Sequence, residues 1–438
     1  MQMFDAKKFF RIIIGVALSI LIGTAAMIFV YALPNSRVVE NVRAGLPLYE
    51  REGNYPSWAL GEHSRLDNFT DAIILLEVVH PVKNVVEAAM LNPRFGLTAD
   101  ENPVDALIKS LNGDTAGLSE IIYPRYWHGE LLILKPLLMA TQINHVRILL
   151  AYTDFLLFVG ALLSFQKILG GKIAMAFAFS VMTINLVSIS MNFQFSAVFS
   201  VTMAALILML NKNRRIFNGY CYFFAIIGIL IAFTDYLSYP IFSLGLPLTT
   251  WFLLNRREFG EKIFPALKFM FGLIISWGVG YVGMWSGKWL VAQILTGRAV
   301  LSDALQQVMS YTQINSALAQ AGWQITSLDA IQRNIAVAGH GPIRIFFFAA
   351  IIFLLYNFIR RRKKISAPRK ILPYMLPAAL PFVWIFFASG HSHIHAFFVY
   401  RSLAVTVFAL ICAAIEIFSD AQKKQRDVAS NLSGAQKN

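Results

Sequence analysis

The chain has 438 residues, of which 57% are hydrophobic and 14% are charged, and its formal net charge is +14. A soluble domain carries roughly a quarter charged residues, so this composition argues against a soluble globular protein. The two cysteines, Cys221 and Cys412, both fall within apolar runs. They exclude a disulfide framework in the loops and any zinc-site spacing.

Long apolar runs predict an all-α polytopic membrane protein with about ten transmembrane helices. A bilayer core needs roughly 20 apolar residues per helix. The first run follows a basic N-terminus as a signal peptide does, but it is long enough to span, and we interpret it as a retained helix. In chain order the runs are Ile12–Leu33, His145–Phe165, Ile173–Met191, Phe195–Leu210, Phe217–Phe233, Leu237–Leu254, Ile263–Trp285, Ile343–Ile359, Ile371–Ala388 and Ala396–Phe418.

The basic residues predict the orientation of these helices. More than half of the 38 Lys and Arg residues lie in short segments on one side, including both termini and residues 360–370. By the positive-inside rule this side is cytoplasmic. The net charge is therefore a topology signal rather than a nucleic-acid footprint, and we expect no nucleic-acid partner.

The runs divide the chain into six segments. All eight histidines fall on the predicted outer side, which indicates that the chemistry is concentrated there. The segments are 1–33, the cytoplasmic N-terminus and first span; 34–144, a long outer loop with interfacial helices and an acidic motif; 145–285, spans two to seven; 286–342, a second outer segment; 343–418, spans eight to ten; and 419–438, a basic cytoplasmic tail.

An acidic motif lies early in the first outer loop, where Asp67 and Asp71 are four residues apart. On a helix the two carboxylates would share one face. Carboxylates held together can raise one pKa and so produce a general base. The alternative is structural, with Asp67 or Thr70 capping an amphipathic helix over Asp71–Met90.

The end of the same loop reads Tyr-Pro-Arg-Tyr-Trp-His-Gly-Glu over residues 123–130. Arg125 and His128, flanked by aromatic residues, suit a phosphate group and a sugar ring. An interfacial anchor belt is the alternative. The following stretch, Leu131–Ala140, is too short to span, and we expect a helix lying in the outer interface.

Two later motifs are also candidates. Lys288 stands between tryptophans in Trp285–Trp289 and either extends to the interface or pairs with a lipid phosphate. His391 and His395 are four residues apart, as in metal-binding helices, but no acidic ligand lies nearby. Phosphate stabilisation is therefore favoured over a metal; no cofactor is indicated, and a divalent metal stays an open alternative that the sequence does not point to. Arg401 lies within an apolar run, where a charge is costly and often functional.

The layout resembles the GT-C glycosyltransferases, integral membrane enzymes that use polyprenyl-phosphate-linked sugars. The resemblance covers nearly the whole chain, and within that group the chain looks like the bacterial membrane glucosyltransferases that decorate O-antigen and convert serotype. The matching features are a single span, a long outer loop with an early acidic motif, many further spans and a second outer segment. The matching motifs are Leu66–Asp71, Tyr123–Gly129, Trp285–Trp289 and His391–Arg401.

The resemblance implies a mechanism and a location. Asp67 or Asp71 would deprotonate a glycan or lipid-linked glycan acceptor, which would attack the anomeric carbon of the donor sugar, with glucose expected. The protein would lie in the bacterial inner membrane among membrane lipids, with its site facing the periplasm. The growing charge on the lipid phosphate needs positive partners, and the candidates are Arg125, His128, Lys288, His391, His395 and Arg401.

Two other functions fit a polytopic chain acting on lipid-linked sugars. An O-antigen polymerase is expected to carry its large, Arg-rich outer loop later in the chain, whereas here the largest loop comes first. A lipid-linked sugar transporter or flippase is expected to have charged residues deep in several spans. Only Asp154 and Lys268 lie clearly deep in the predicted runs.

Overall fold

A computed structural model describes residues 5–98, 101–211, 219–260, 262–312, 326–339 and 371–417. The predicted eighth span, Ile343–Ile359, lies outside the described residues, as do His340 and the tail 419–438. Each other predicted run contains helix in the part of it that the structure describes, although the helix of the run Leu237–Leu254 begins only at Ile241.

Helices dominate the described chain. The helices are α1 Ala6–Ala32, α2 Ser36–Arg43, α3 Leu46–Glu52, α4 Asn68–Val79, α5 Val85–Leu91, α6 Pro103–Asn112, α7 Leu131–Ala140, α8 Ile143–Leu169, α9 Gly171–Met182, α10 Leu186–Ser190, α11 Phe193–Asn211, α12 Tyr220–Thr234, α13 Ile241–Phe259, α14 Ile263–Thr296, α15 Val300–Thr312, α16 Ser327–Ala338, α17 Leu372–Phe387, α18 Ser389–Ile394, α19 Ala396–Val399 and α20, residues 403–417. The strands β1 Pro93–Leu97 and β2 Leu118–Ile122 form an antiparallel pair in which Pro93 faces Ile122.

Five helical segments in the described residues are long and apolar enough to cross a membrane. They are α1, α8, α11, α14 and the segment Ala396–Ile417, which contains α19 and α20. Large apolar side chains on α1 and α8, among them Ile22 and Leu156, remain exposed. In a bilayer such faces contact lipid rather than water, so exposure of this kind identifies an all-α membrane-embedded protein.

Close backbone contact joins α12 to α14. A Cβ on Gly228 would lie 2.2 Å from the carbonyl oxygen of Trp277, and one on Gly280 would lie 2.2 Å from that of Ala225. Small residues at a helix interface allow backbones to approach closely, and this is a main source of helix association in membranes. The two glycines therefore set the separation of this pair.

The segment 34–144, predicted to be the first outer loop, folds into a helical layer that carries the β-hairpin. The expected helix Leu131–Ala140 is present as α7. The single helix expected over Asp71–Met90 is wrong, because α4 ends at Val79 and α5 begins at Val85. Pro81 explains the break, since a proline disfavours helical backbone in the residue before it. The side chain of Asn84 then caps α5 by accepting from Val86 N and Glu87 N.

Two other predicted runs differ from the helices observed. The run Ile173–Met191 is divided into α9 and α10 at Asn185, whose φ of 57° is left-handed and cannot continue a helix. The run ending at Trp285 continues as α14 to Thr296. Polar residues after Trp285 end the apolar signal but not the helix, so this helix enters the segment assigned to residues 286–342.

Candidate active site

Asp67 is the N-cap residue of α4 and lines a cavity. Its carboxylate accepts from Thr70 N at 3.1 Å and from the Thr70 hydroxyl at 3.0 Å, and so caps the helix. Gln194 of α11 also donates to this carboxylate. Burial raises the pKa of Asp67 to about 6, although these hydrogen bonds and the positive charge of Arg401 lower it. The capping and general-base interpretations are therefore compatible. The Asp67 carboxylate accepts the capping hydrogen bond from Thr70 N, and the same side chain also lines the cavity.

Asp71 lies one turn deeper on the same face and does not line the cavity. It accepts from Asn192 Nδ2 at 3.0 Å and from Phe193 N at 3.1 Å. Arg147 Nη2 approaches it to 3.7 Å. Burial raises the pKa of Asp71 to about 7, opposed by Arg147 and reinforced by Asp67. Asp71 thus joins α4 to α8 and α11, behind the carboxylate that faces the cavity.

The cavity has a volume of about 560 Å³, within the usual range for small-molecule sites. It lies between the first outer loop and the α18–α19 segment. Its walls combine charged groups with many aromatic rings: Tyr55, Asp67, Phe69, Thr70, Ile73, Arg94, Gly96, Leu97, Glu101, Asn102, Pro103, Ile121, Ile122, Tyr123, Arg125, Tyr126, Gln194, Tyr236, Tyr311, His391, His395 and Phe398.

The cavity brings together half of the residues predicted from sequence. Four candidates from three separate motifs line it: Asp67, Arg125, His391 and His395. Four others do not line it: Asp71, His128, Lys288 and Arg401. Motifs that are distant in the sequence therefore meet at this cavity, while the remaining candidates lie in the layers around it.

Arg125 is fixed to the cavity wall by its backbone and by aromatic neighbours. Trp285 and Trp289 of α14 each donate an indole N–H to the Arg125 carbonyl oxygen at 2.9 Å. The guanidinium lies 5.3 Å from the centre of the Tyr123 ring, and its Nε donates to Asp303 at 3.1 Å. The tryptophan pair predicted as a separate motif therefore positions this loop.

His391 acts as an acceptor in this geometry rather than as a cation. Its Nε2 lies 2.8 Å from the carbonyl oxygen of Leu237, which can only accept, so Nε2 carries the proton. The remaining nitrogen, Nδ1, is buried and has no hydrogen-bond partner among the described residues. Burial lowers the pKa of His391 well below its ordinary value and that of His395 to about 4. Both rings are therefore neutral at pH 7.

The turn that positions His391 is strained. Leu237 has a φ of 66°, a left-handed conformation that is rare for a branched, non-glycine residue. Asp235 stabilises the turn by accepting from the backbone N–H of Ser238 at 3.0 Å and from its hydroxyl. Strain of this kind persists only where the surroundings hold it, and it clusters at functional sites.

A buried polar cluster adjoins the cavity and joins the predicted candidate His128 to Glu77, Glu130 and Tyr236, which the sequence did not single out. His128 Nδ1 lies 2.7 Å from both Glu77 Oε2 and the Tyr236 hydroxyl. Tyr236 also donates to Glu130. Burial lowers the pKa of His128 to about 3 and raises that of Glu130 to about 7. His128 is thus a neutral member of a structural network that holds Tyr236 in the cavity wall.

The other two predicted cations lie in the supporting layers. Lys288 is buried and donates to the carbonyl oxygen of Ala89 and to Asn92 Oδ1, each at 2.9 Å. It therefore neither extends to the interface nor reaches the cavity. Arg401 is fully buried, with its guanidinium 4.1 Å from the centre of the Phe195 ring and its Nε donating to Ile184 O at 3.2 Å.

Within the described ranges, His, Cys, Asp and Glu side chains form no group of three or more suited to a metal ion. The fold and cavity together define an all-α membrane-embedded protein with a polar chamber enclosed partly by the segment 34–144. Comparisons with protein-family models, with curated proteins and with solved structures found no match. Any function must therefore be argued from the chamber itself.

Proposed function

We propose that the protein is a membrane glycosyltransferase that moves a sugar, glucose first among the candidates, from a polyprenyl-phosphate donor to a glycan acceptor such as O-antigen. One observation carries the proposal. A single aromatic-walled cavity holds the carboxylate of Asp67 together with the guanidinium of Arg125. A base and a cation in one chamber are the groups that transfer from a phosphate leaving group requires.

The chemistry follows from these two groups. Asp67 accepts the proton of an acceptor hydroxyl, and that oxygen forms a bond to the anomeric carbon of the donor sugar. The bond from that carbon to the phosphate oxygen breaks, and the lipid phosphate leaves with the electron pair. Arg125 stabilises the negative charge that develops there. A pKa of about 6 leaves Asp67 mostly ionised at pH 7 and able to act as the base.

The loop charges support a particular orientation for this chemistry. We propose about ten spans in a bacterial inner membrane, with both termini in the cytoplasm and the cavity facing the periplasm. The cavity is built largely from the segment 34–144, which this topology places outside. A reporter fused after Asn438 is expected to be active only in the cytoplasm, and activity only in the periplasm would overturn this topology.

The decisive experiment supplies purified protein in detergent or nanodiscs with polyprenyl-phosphate-glucose and a lipopolysaccharide acceptor. The wild type is expected to transfer the sugar, and Asp67→Asn to lose transfer. Asp114→Asn is the matched control, because Asp114 is an exposed acid of the same loop that pairs with Lys109 away from the cavity. Full transfer by Asp67→Asn would remove the base assignment. Failure of the wild type to cleave any donor in a panel of lipid-linked sugars would contradict the enzyme proposal.

A further inference from the structure

Arg94 is a buried cation that borders the cavity with much of its hydrogen-bonding capacity unused. It lies on β1, is 3% exposed and lines the chamber. Its Nη2 donates to Glu101 at 2.9 Å, whereas Nε and Nη1 have no hydrogen-bond partner in the described part of the chain. Unmade hydrogen bonds on a buried charged group are strongly unfavourable. The side chain is therefore suited to a ligand that supplies acceptors.

Arg94 and Arg125 share one aromatic wall. Their guanidinium carbons lie 6.0 and 5.3 Å from the centre of the Tyr123 ring. Gly96, which also lines the cavity, lets this strand approach Ile121 closely: a Cβ there would lie 2.1 Å from Ile121 Cδ1 and 3.5 Å from Arg94 Nη1. Two guanidinium groups around one ring form a compact region of positive charge.

The acids near this wall leave its charge available to an anion. Glu101 and Asp303, the partners of Arg94 and Arg125, have side chains that are 62% and 50% exposed. Contacts to such solvated carboxylates are weak and can be replaced. On the inner side Glu77 is fully buried, and burial raises its pKa well above the ordinary value, although Arg94 opposes this shift. The raised pKa disfavours the ionised form of Glu77, which is the form that would neutralise Arg94.

Two other lining residues, Asp67 and His391, have the reverse hydrogen-bonding character. Asp67 presents a carboxylate, and His391 presents the acceptor nitrogen Nδ1. Such groups accept from hydroxyls and repel or fail to bind phosphate oxygens. The chamber therefore separates donors to an anion from acceptors for hydroxyl groups.

We propose that Arg94 and Arg125 form the phosphoryl-binding end of the cavity, and that the hydroxyl-bearing part of the substrate points toward Asp67 and His391. This inference rests on the proposed function for the identity of the substrate. It assigns the phosphate to the part of the lining formed by Tyr123, Arg94 and Arg125 rather than to the His391–Arg401 segment. Arg94 is then a binding residue. The ligand group is a phosphate, carried either by a lipid or free in solution.

The test measures binding rather than transfer. Farnesyl phosphate and inorganic phosphate are titrated into the wild type and into Arg94→Gln, Glu101→Gln and Arg298→Gln. Arg298 is the matched control, an exposed arginine of the α14–α15 connection whose side chain is 64% exposed. Loss of a charge-assisted hydrogen-bonding partner predicts affinity for farnesyl phosphate about tenfold or more weaker in Arg94→Gln. Glu101→Gln, which removes a competing carboxylate, is expected to bind as tightly as the wild type or more tightly.

A structural role for Arg94 predicts a different pattern. If Arg94 serves only to hold Glu101, both variants weaken binding alike, and that result overturns the proposal. Wild-type affinity in Arg94→Gln also overturns it. Arg94→Lys, which keeps the charge and loses the planar fork, gives a folded substitute if Arg94→Gln does not purify. It is expected to bind more weakly than the wild type, and unchanged affinity counts against the assignment.

The two phosphate probes separate the sources of the ligand. Binding of farnesyl phosphate alone identifies a lipid headgroup, whereas equal competition by inorganic phosphate identifies a free phosphate, and both support the phosphoryl site. Failure of this site is distinguishable from failure of the proposed function. If the expected binding pattern is seen without sugar transfer, the enzyme proposal is wrong and the phosphoryl site stands. If sugar is transferred and Arg94→Gln binds as the wild type does, the phosphoryl site is wrong and the enzyme proposal stands.

Discussion

Replacement of Asp67 or Asp71 by asparagine is expected to separate catalysis from structure. Asn caps a helix about as well as Asp, so Asp67→Asn keeps the bond from Thr70 N. The new amide disfavours the contact from Gln194 to the second carboxylate oxygen. Loss of one such bond costs about 1–2 kcal/mol. Removal of a general base lowers the rate by roughly 10²–10⁴-fold. Asp67→Asn is therefore expected to fold and to lose transfer.

Asp71→Asn is expected to show the reverse pattern. Both oxygens of Asp71 accept hydrogen bonds in the interior, and Arg147 lies 3.7 Å away. Loss of a buried charged acceptor costs about 2–3 kcal/mol, while the group stays out of the cavity. The assay compares transfer per folded molecule with the melting temperature in detergent for both variants and for Asp114→Asn. Equal loss of activity at equal loss of stability would refute the division of roles between the two acids.

Three further predictions concern ionisation and packing. The transfer rate is expected to fall about tenfold per pH unit below pH 6, because Asp67 with a pKa of about 6 must be ionised to accept a proton; a pH–rate profile flat to pH 4.5 would contradict this. Gly129→Ala is expected to lower the melting temperature, since its Cβ would lie 2.5 Å from the Phe233 carbonyl oxygen and overpacking costs about 1–3 kcal/mol. Gly280→Ala is expected to destabilise the α12–α14 pair for the same reason, whereas Gly278→Ala, with no atom within 4 Å of its Cβ, is the matched control and is expected to melt as the wild type does.

The apolar runs predicted helix positions well because a segment that crosses a bilayer must be helical and needs roughly 20 apolar residues. The run His145–Phe165 corresponds to α8, Ile143–Leu169. The end of α14 could not be predicted in this way, since polar residues after Trp285 continue a helix without an apolar signal. Likewise the division of the Ile173–Met191 run depends on one left-handed residue, Asn185, which hydropathy does not detect.

The site was predictable where its residues form local patterns and was missed where they stand alone. Asp67, Arg125 and the pair of His391 and His395 lie in short motifs rich in polar and aromatic residues. Arg94 is a single residue in an ordinary strand, and its role depends on Tyr123 and Glu101 being brought near it by the hairpin. Such contacts are properties of the tertiary fold and leave no local pattern.

One missed residue did carry a usable signal. Glu77 is the only acid in the stretch Ala72–Val79, between apolar residues that are themselves buried. A lone acid in such a stretch must be paired, protonated or functional, because burying an unpartnered charge is prohibitive. The same argument identified Arg401 in its apolar run. Applied to the first loop as well, the same argument predicts a partner for Glu77, which the structure shows to be His128.

Polar groups with unused hydrogen-bonding capacity occur both in a span and at the chamber, and the proposed function depends on those at the chamber. Asp154, deep in α8, accepts from Ser200 of α11 at 2.6 Å through Oδ1, whereas its Oδ2 is buried without a hydrogen-bond partner among the described residues. The described groups with unused hydrogen-bonding capacity that line the chamber are Arg94 and His391. A carrier is expected to place such groups near the centre of several spans. Arg94 and His391 instead line a chamber formed largely by the segment 34–144, which is where the proposed function requires a donor headgroup and an acceptor hydroxyl to meet.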